Sequence, residues 1–177
     1  MRVFSTDHHL LHKPSFELKK GVPGPPYDDG SRVARIRDAL KTLGCAWEAP
    51  ADFGEAPIRA VHDDDYVDFL KTIWGDWEAE GESNDLLPLM WPVEGLRTDV
   101  APQTVDGRMI KYAFDSGTAI TAGTWAASYA AAQCAIAAAE AAQRDGLAYA
   151  LTRPPGHHAM RGHYGGYCFL NGAAIAA

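Results

Sequence analysis

A chain of 177 residues, 47% hydrophobic and 22% charged, can build one cored domain but hardly two, and its composition excludes wholesale disorder. A net charge of −7 without a basic run argues against a nucleic-acid partner, because that binding gains its affinity by neutralising phosphates with Lys and Arg. The start, MRVFSTDHHL, does not read as a signal peptide and the alanine-rich segment 119–142 makes a poor membrane span, so no membrane association and a cytoplasmic location are expected.

In chain order, Arg2–Ser5 reads as a short strand, and His8–Asp29, punctuated by Pro and Gly, as a long loop. Ser31 is placed to cap a helix carrying Val33, Ile36, Leu40 and Leu43 at helical spacing, ended by Gly44. A second helix runs through Tyr66, Val67, Phe69, Leu70, Ile73 and Trp74, after Asp63, Asp64 and Asp65. Three consecutive carboxylates raise the thought of a metal site, but Asp at a helix start caps it and complements its dipole, which is the reading favoured here. Residues 81–107 form a long irregular segment with apolar Leu86, Leu87, Met90 and Trp91; loops of that length are functional or interfacial. Gly123–Arg144 reads as a strong helix closed by Gly146, LAYALT (147–152) as an apolar strand, and 170–177 as the start of another helix. The alternation predicts an α/β domain with a mainly parallel sheet, whose sites form beyond the carboxyl ends of its strands. Cys45, Cys134 and Cys168, far apart and without a C-x-x-C, suggest neither a disulfide framework nor a zinc-thiolate site.

The stretch RPPGHHAMRGHYGGYCFLNG, 153–172, lies beyond the last of these strands. Pro154 and Pro155 stop the strand and Gly156 lets the chain turn, so His157 and His158 can face one cavity instead of opposite sheet faces. Paired imidazoles suit proton transfer near neutral pH. Adjacent histidines fit zinc-ligand spacing poorly, and a purely structural role, hydrogen bonding to backbone, remains open on these residues alone.

RPPGHH followed by GGYCFLNGAAIAA resembles the histone deacetylase superfamily, and within it the bacterial acetylpolyamine amidohydrolases and related histone-deacetylase-like amidohydrolases. The resemblance extends to Ser5, Asp7 and His8, to the segment from Val61, to Asp106–Arg108 and to Ile120–Trp125. It implies a three-layer arginase/deacetylase-like α/β fold and a zinc-dependent hydrolase that cleaves acetyl amides. Zinc in such enzymes polarises the acetyl carbonyl and activates a water. His158 would be the general base and His157 its electrostatic or acid partner. Gly166 would offer its backbone carbonyl to the substrate amide, Tyr167 would wall a narrow tunnel, and Asp106 would attract a ligand ammonium. Asp106 stands equally well as a turn residue in Asp106-Gly107-Arg108. A second acidic family position falls on Gly117, which weakens a strict preference for polyamines. His163 is expected to face solvent.

The family's metal ligands, a D-x-H on the next strand and a later Asp, are not in this sequence, nor is its catalytic Tyr. Zinc ligands are therefore expected beyond Ala177, with no metal site in the chain itself. Residues 1–177 are expected to be the amino-terminal part of one deacetylase domain, its fold truncated. The resulting expectation is an amidohydrolase removing acetyl groups from acetylated polyamines or similar aliphatic amines, working as a homodimer joined through the 81–107 loop. The alternatives are a protein acetyl-lysine deacetylase and a non-catalytic truncated binding or assembly module.

Overall fold

The computed structural model describes residues 1–177 apart from Glu94, Leu96 and Thr98, so part of the 81–107 loop lies outside the described residues. Strand β1 (Arg2–Phe4) leads into a 3-10 turn at Asp7–Leu10 and then a hairpin of β2 (Glu17–Lys19) and β3 (Val22–Gly24). The segment expected to be a plain loop is thus partly ordered: the hairpin buries Glu17 and places it under the site. Helix α1 (Ser31–Thr42) begins at Ser31 rather than after it, with Asp29 Oδ1 accepting the Ser31 N–H. Next come β4 (Ala46–Glu48), α2 (Ala56–Val61) and α3 (Asp64–Ala79). They are followed by α4 (Val105–Tyr112), the 22-residue α5 (Thr124–Asp145), β5 (Ala148–Ala150) and α6 (Gly172–Ala176).

The sheet is parallel with β1 at its centre, in the order β4-β1-β5. Alternation along β1 decides the layers, since successive side chains leave a strand on opposite faces. Val3 packs with Val33, Ile36, Leu40 and Trp47 on the α1 side. Phe4 packs with Cys134, Ala137, Ala138 and Ala141 of α5 on the other. A parallel sheet needs both faces covered, and the small alanine side chains let α5 lie close. Its end is marked by Gly146 in a left-handed conformation. The strand expected over LAYALT is shortened to Ala148–Ala150, and Leu43, expected to continue the apolar spacing of α1, is its exposed C-cap.

A larger core lies beside the sheet, where α3 and α4 meet the segment 164–170. Its centre is aromatic. Phe69 lies 4.5 Å from Tyr112 and 6.1 Å from Tyr164 between ring centroids, and Tyr164 lies 5.6 Å from Phe169. Tyr66 donates its hydroxyl to the Phe169 carbonyl at 2.7 Å, so its buried polar end is satisfied. Leu86, expected to be an exposed loop residue, is buried and exchanges backbone hydrogen bonds with Ile120. Leu89 and Met90 remain exposed.

The three Asp residues at the start of α3 do not act alike. Asp63 occupies the cap position without a side-chain cap and pairs with Arg161 instead, Asp64 pairs with Arg59, and Asp65 with Lys111 and the Tyr112 hydroxyl. Asp64 and Asp65 still sit in the first turn, where the helix dipole favours them. The capping expectation therefore holds for the charge placement and fails for the side-chain bond.

Phe69→Ala empties the middle of the aromatic core and is expected to cost about 3–5 kcal/mol, read as a lower denaturation midpoint in urea.

Candidate active site

Two segments leave the carboxyl end of the sheet, one after β1 and one after β5, and Arg153 ties them together. Its side chain is 4% exposed. One guanidinium nitrogen donates to the carbonyls of His9 and His12 at 2.9 and 2.6 Å, and the other donates to the Asp28 carbonyl at 2.6 Å. Nε lies 3.1 Å from Asp28 Oδ2, a charge contact poorly aligned for hydrogen bonding. Burial raises the Asp28 carboxyl above its usual range, and the Arg153 charge opposes that rise.

Beyond Arg153, Pro154 and Pro155 end the strand and Gly156 lies against the chain at 170–172. A Cβ at Gly156 would fall 2.2 Å from the Leu170 carbonyl oxygen, so only glycine lets the two segments meet. The turn brings the imidazoles of His157 and His158 to 4.3 Å between centroids, tilted by 47°, both on the exposed surface of this chain. His157 also lines a cavity of about 500 Å³ with Asp28, Arg32 and Tyr149.

His158 packs on Gly166. A Cβ there would meet His158 Cδ2 at 2.7 Å. Gly165 and Cys168 exchange backbone hydrogen bonds at 3.1 and 3.0 Å, enclosing Gly166 (φ 57°) and Tyr167 (φ 67°). Two central residues with positive φ make this a hairpin turn of type I′ geometry. Glycine adopts that freely, whereas a tyrosine there is strained and needs surroundings that hold it. Those surroundings are specific. The Tyr167 N–H donates to Thr118 Oγ1 at 2.9 Å, and its hydroxyl donates to Glu17 Oε1 at 2.8 Å. The Gly166 N–H donates to Asp115 Oδ2. Burial, followed by Glu17, raises the Tyr167 phenol pKa, so the hydroxyl keeps its proton and remains a donor. The Cys168 thiol donates to the Gly166 carbonyl at 3.3 Å, and burial raises its pKa.

Of the residues singled out from sequence, the structure brings His158 and Gly166 into contact and sets His157 and Tyr167 beside them. Asp106 stands apart, in the exposed first turn of α4 rather than in a loop turn. It lines a groove of about 490 Å³ with Trp77, Leu89 and Met90. His163 is half-buried, not fully solvated. Among the described residues, no three His, Cys, Asp or Glu side chains gather as a metal site, and no helix is long and apolar enough to cross a membrane. The three cysteines are free.

Sequence reasoning passed over Asp115, Thr118 and Glu17. An Asx-turn signal was there in Phe114-Asp115-Ser116-Gly117, because Asp115 Oδ1 accepts the N–H groups of Gly117 and Thr118 at 3.0 and 2.9 Å. Nothing local marks Glu17 as buried. His62, within the recognised segment from Val61, proves to be a junction: Nε2 accepts the Asn171 N–H at 3.0 Å, which leaves Nδ1 to donate to the Arg161 carbonyl at 3.2 Å.

A parallel sheet with helices on both faces, and a histidine pair on the loop beyond its carboxyl edge, define an α/β domain with a candidate functional site. Residues 27–177 match the histone deacetylase domain model, and the chain belongs to that family. It is 44% identical to acetylpolyamine amidohydrolase 2 and 42% to acetylpolyamine amidohydrolase 1 of Pseudomonas aeruginosa, and 36% to the acetylpolyamine amidohydrolase of Mycoplana ramosa. These alignments cover 100%, 99% and 100% of this chain and 52%, 51% and 52% of the relatives, so the chain spans about half their length. The crystal structure of an acetylpolyamine aminohydrolase from Burkholderia pseudomallei superposes with a TM-score of 0.90 at 38% identity, over 100% of this chain and 52% of that one. The HD domain of HDA15 shares the fold at a TM-score of 0.67 and 24% identity, over 99% and 41%.

Arg153→Met leaves the Asp28 carboxylate buried without its cation and is expected to cost about 3–5 kcal/mol. Arg153→Met with Asp28→Asn is expected to recover part of that in thermal melts. A pH prediction follows from the buried histidines. Burial lowers the pKa of His9 and His62 below 6.5, and burial and Arg153 push His12 down to about 3. Below 6.5 the unfolded chain takes up protons that the folded one refuses, so stability present above 6.5 is lost as pH falls toward 3. Denaturation midpoints are expected to drop across that window, and to drop less in His12→Gln.

Proposed function

We propose that the protein is a zinc-dependent amidohydrolase that removes acetyl groups from acetylated polyamines or similar aliphatic amines. The observation that carries this reading is the contact of His158 with Gly166, beside His157, in a chain 44% identical throughout to acetylpolyamine amidohydrolase 2 of Pseudomonas aeruginosa. In this proposal His158 takes the proton of the attacking water. As the acetyl C–N bond breaks, the proton passes to the departing amine nitrogen, giving acetate and amine, and His157 steadies the charge. The Gly166 carbonyl accepts the substrate amide N–H, and the Tyr167 ring lies along the methylene chain. Asp106, exposed on α4, is proposed to draw in the distal ammonium. The zinc would be held by residues outside these 177, consistent with relatives about twice as long. The exposed Leu89 and Met90, which line the Asp106 groove, and the exposed Trp91 support a homodimer through the 81–107 loop, and a cytoplasmic location belongs to the same proposal.

The test is acetate release from N-acetylputrescine and from an acetyl-lysine peptide by the complete protein, together with its zinc content. His158→Ala is expected to lower kcat by roughly 10²–10⁴-fold, the usual worth of a positioned acid or base, with zinc content unchanged. Absence of zinc and of acetate release in the complete wild-type protein would refute the reading, and preference for the peptide would refute the substrate class.

A further inference from the structure

The Gly166 carbonyl belongs to the peptide unit whose N–H is that of Tyr167. A peptide is planar and trans, so its C=O and N–H point in opposite directions. Whatever anchors the Tyr167 N–H therefore helps aim the Gly166 oxygen, which also accepts the weak Cys168 thiol donor at 3.3 Å. That anchor is Thr118 Oγ1, 2.9 Å away, and the Thr118 hydroxyl in turn donates to Asp115 Oδ2 at 3.0 Å. The same carboxylate oxygen accepts the Gly166 N–H. Asp115 is fixed from behind, because its other oxygen accepts the Gly117 and Thr118 N–H groups. Thr118 is 2% exposed, so water does not substitute for these bonds. Both peptide planes flanking Gly166 are thus bound to one threonine–aspartate pair, in the strained turn that a non-glycine residue at 167 requires.

We propose that Thr118, oriented by Asp115, is a positioning residue that aims the Gly166 carbonyl at the substrate amide N–H and so lets the site select acetyl amides over acetyl esters. The inference rests on the proposed deacetylase reading. An ester has no N–H to give, so its hydrolysis does not draw on the aim of that carbonyl.

The experiment uses the complete protein and two substrates, N-acetylputrescine and its ester counterpart 4-aminobutyl acetate. Thr118→Val removes the hydroxyl and Thr118→Ser keeps it. Asp115→Asn keeps an acceptor for Gly117 and Thr118 but turns an NH2 group toward the Gly166 N–H. In Thr118→Val and Asp115→Asn, kcat/KM for the amide is expected to fall about tenfold or more, the worth of one well-placed hydrogen bond. The ester value should change far less, and Thr118→Ser should recover most of the amide rate. ¹⁵N spectra provide a readout that needs no turnover: the Tyr167 amide proton should move upfield and lose exchange protection in Thr118→Val while the aromatic core resonances stay put. Equal losses on amide and ester, or an unmoved Tyr167 amide, overturn the inference and leave the deacetylase reading standing. A wild-type protein inert on both substrates sinks the deacetylase reading, and the role in substrate selection with it. An Asp115→Asn protein that folds with normal spectra and full amide activity also overturns it.

Discussion

The buried guanidinium of Arg153 gathers the carbonyls of His9, His12 and Asp28 and faces the Asp28 carboxylate. Those groups come from the long segment after β1, while Arg153 opens the loop after β5. A planar cation with donors in a fixed fork suits this task, because it satisfies backbone oxygens in several directions at once. Lysine would present a point charge to the same oxygens. Without the cation, several buried carbonyls and a carboxylate would face one another, so the histidine loop owes its seat to this cluster.

The sheet and the aromatic core divide the remaining work. Alternation at Val3 and Phe4 sorts α1 and α5 to opposite faces and fixes the carboxyl edge from which both loops depart. The slab of Phe69, Tyr112, Tyr164 and Phe169 gives the Gly165–Cys168 hairpin a rigid floor. On that floor the left-handed pair Gly166–Tyr167 is held by Asp115, Thr118 and Glu17, which come from two separate parts of the chain. Strain at residue 167 is tolerated because the surroundings over-determine it.

Much of the architecture was legible in the residues. Apolar spacing marked α1, α3 and α5, glycine marked the end of α5, and the Pro-Pro-Gly run marked where β5 must stop and turn. The histidine pair, Gly166 and Tyr167 stood out through motif resemblance, but not the turn that Gly166 and Tyr167 form. What stayed hidden depends on contacts distant in sequence. Glu17 is a surface-type residue by composition, and only the hairpin's position under Tyr167 buries it. Leu86 looked exposed because its backbone partner, Ile120, lies in a different segment. Asp63 looked like a cap because its actual partner, Arg161, follows it by 98 positions. Local pattern specifies the elements, whereas the supports of the site are set by how those elements meet.

The bond between Tyr167 and Glu17 joins positions 150 apart in the chain. Glu17 is buried, and its other oxygen already accepts the Tyr27 N–H at 2.8 Å. Replacing the tyrosine by phenylalanine would keep an aromatic ring at 167 but strand one carboxylate oxygen in a dry setting. The acid at 17 and the phenol at 167 thus form one unit, in which each satisfies a polar group that the other's loss would leave without its partner.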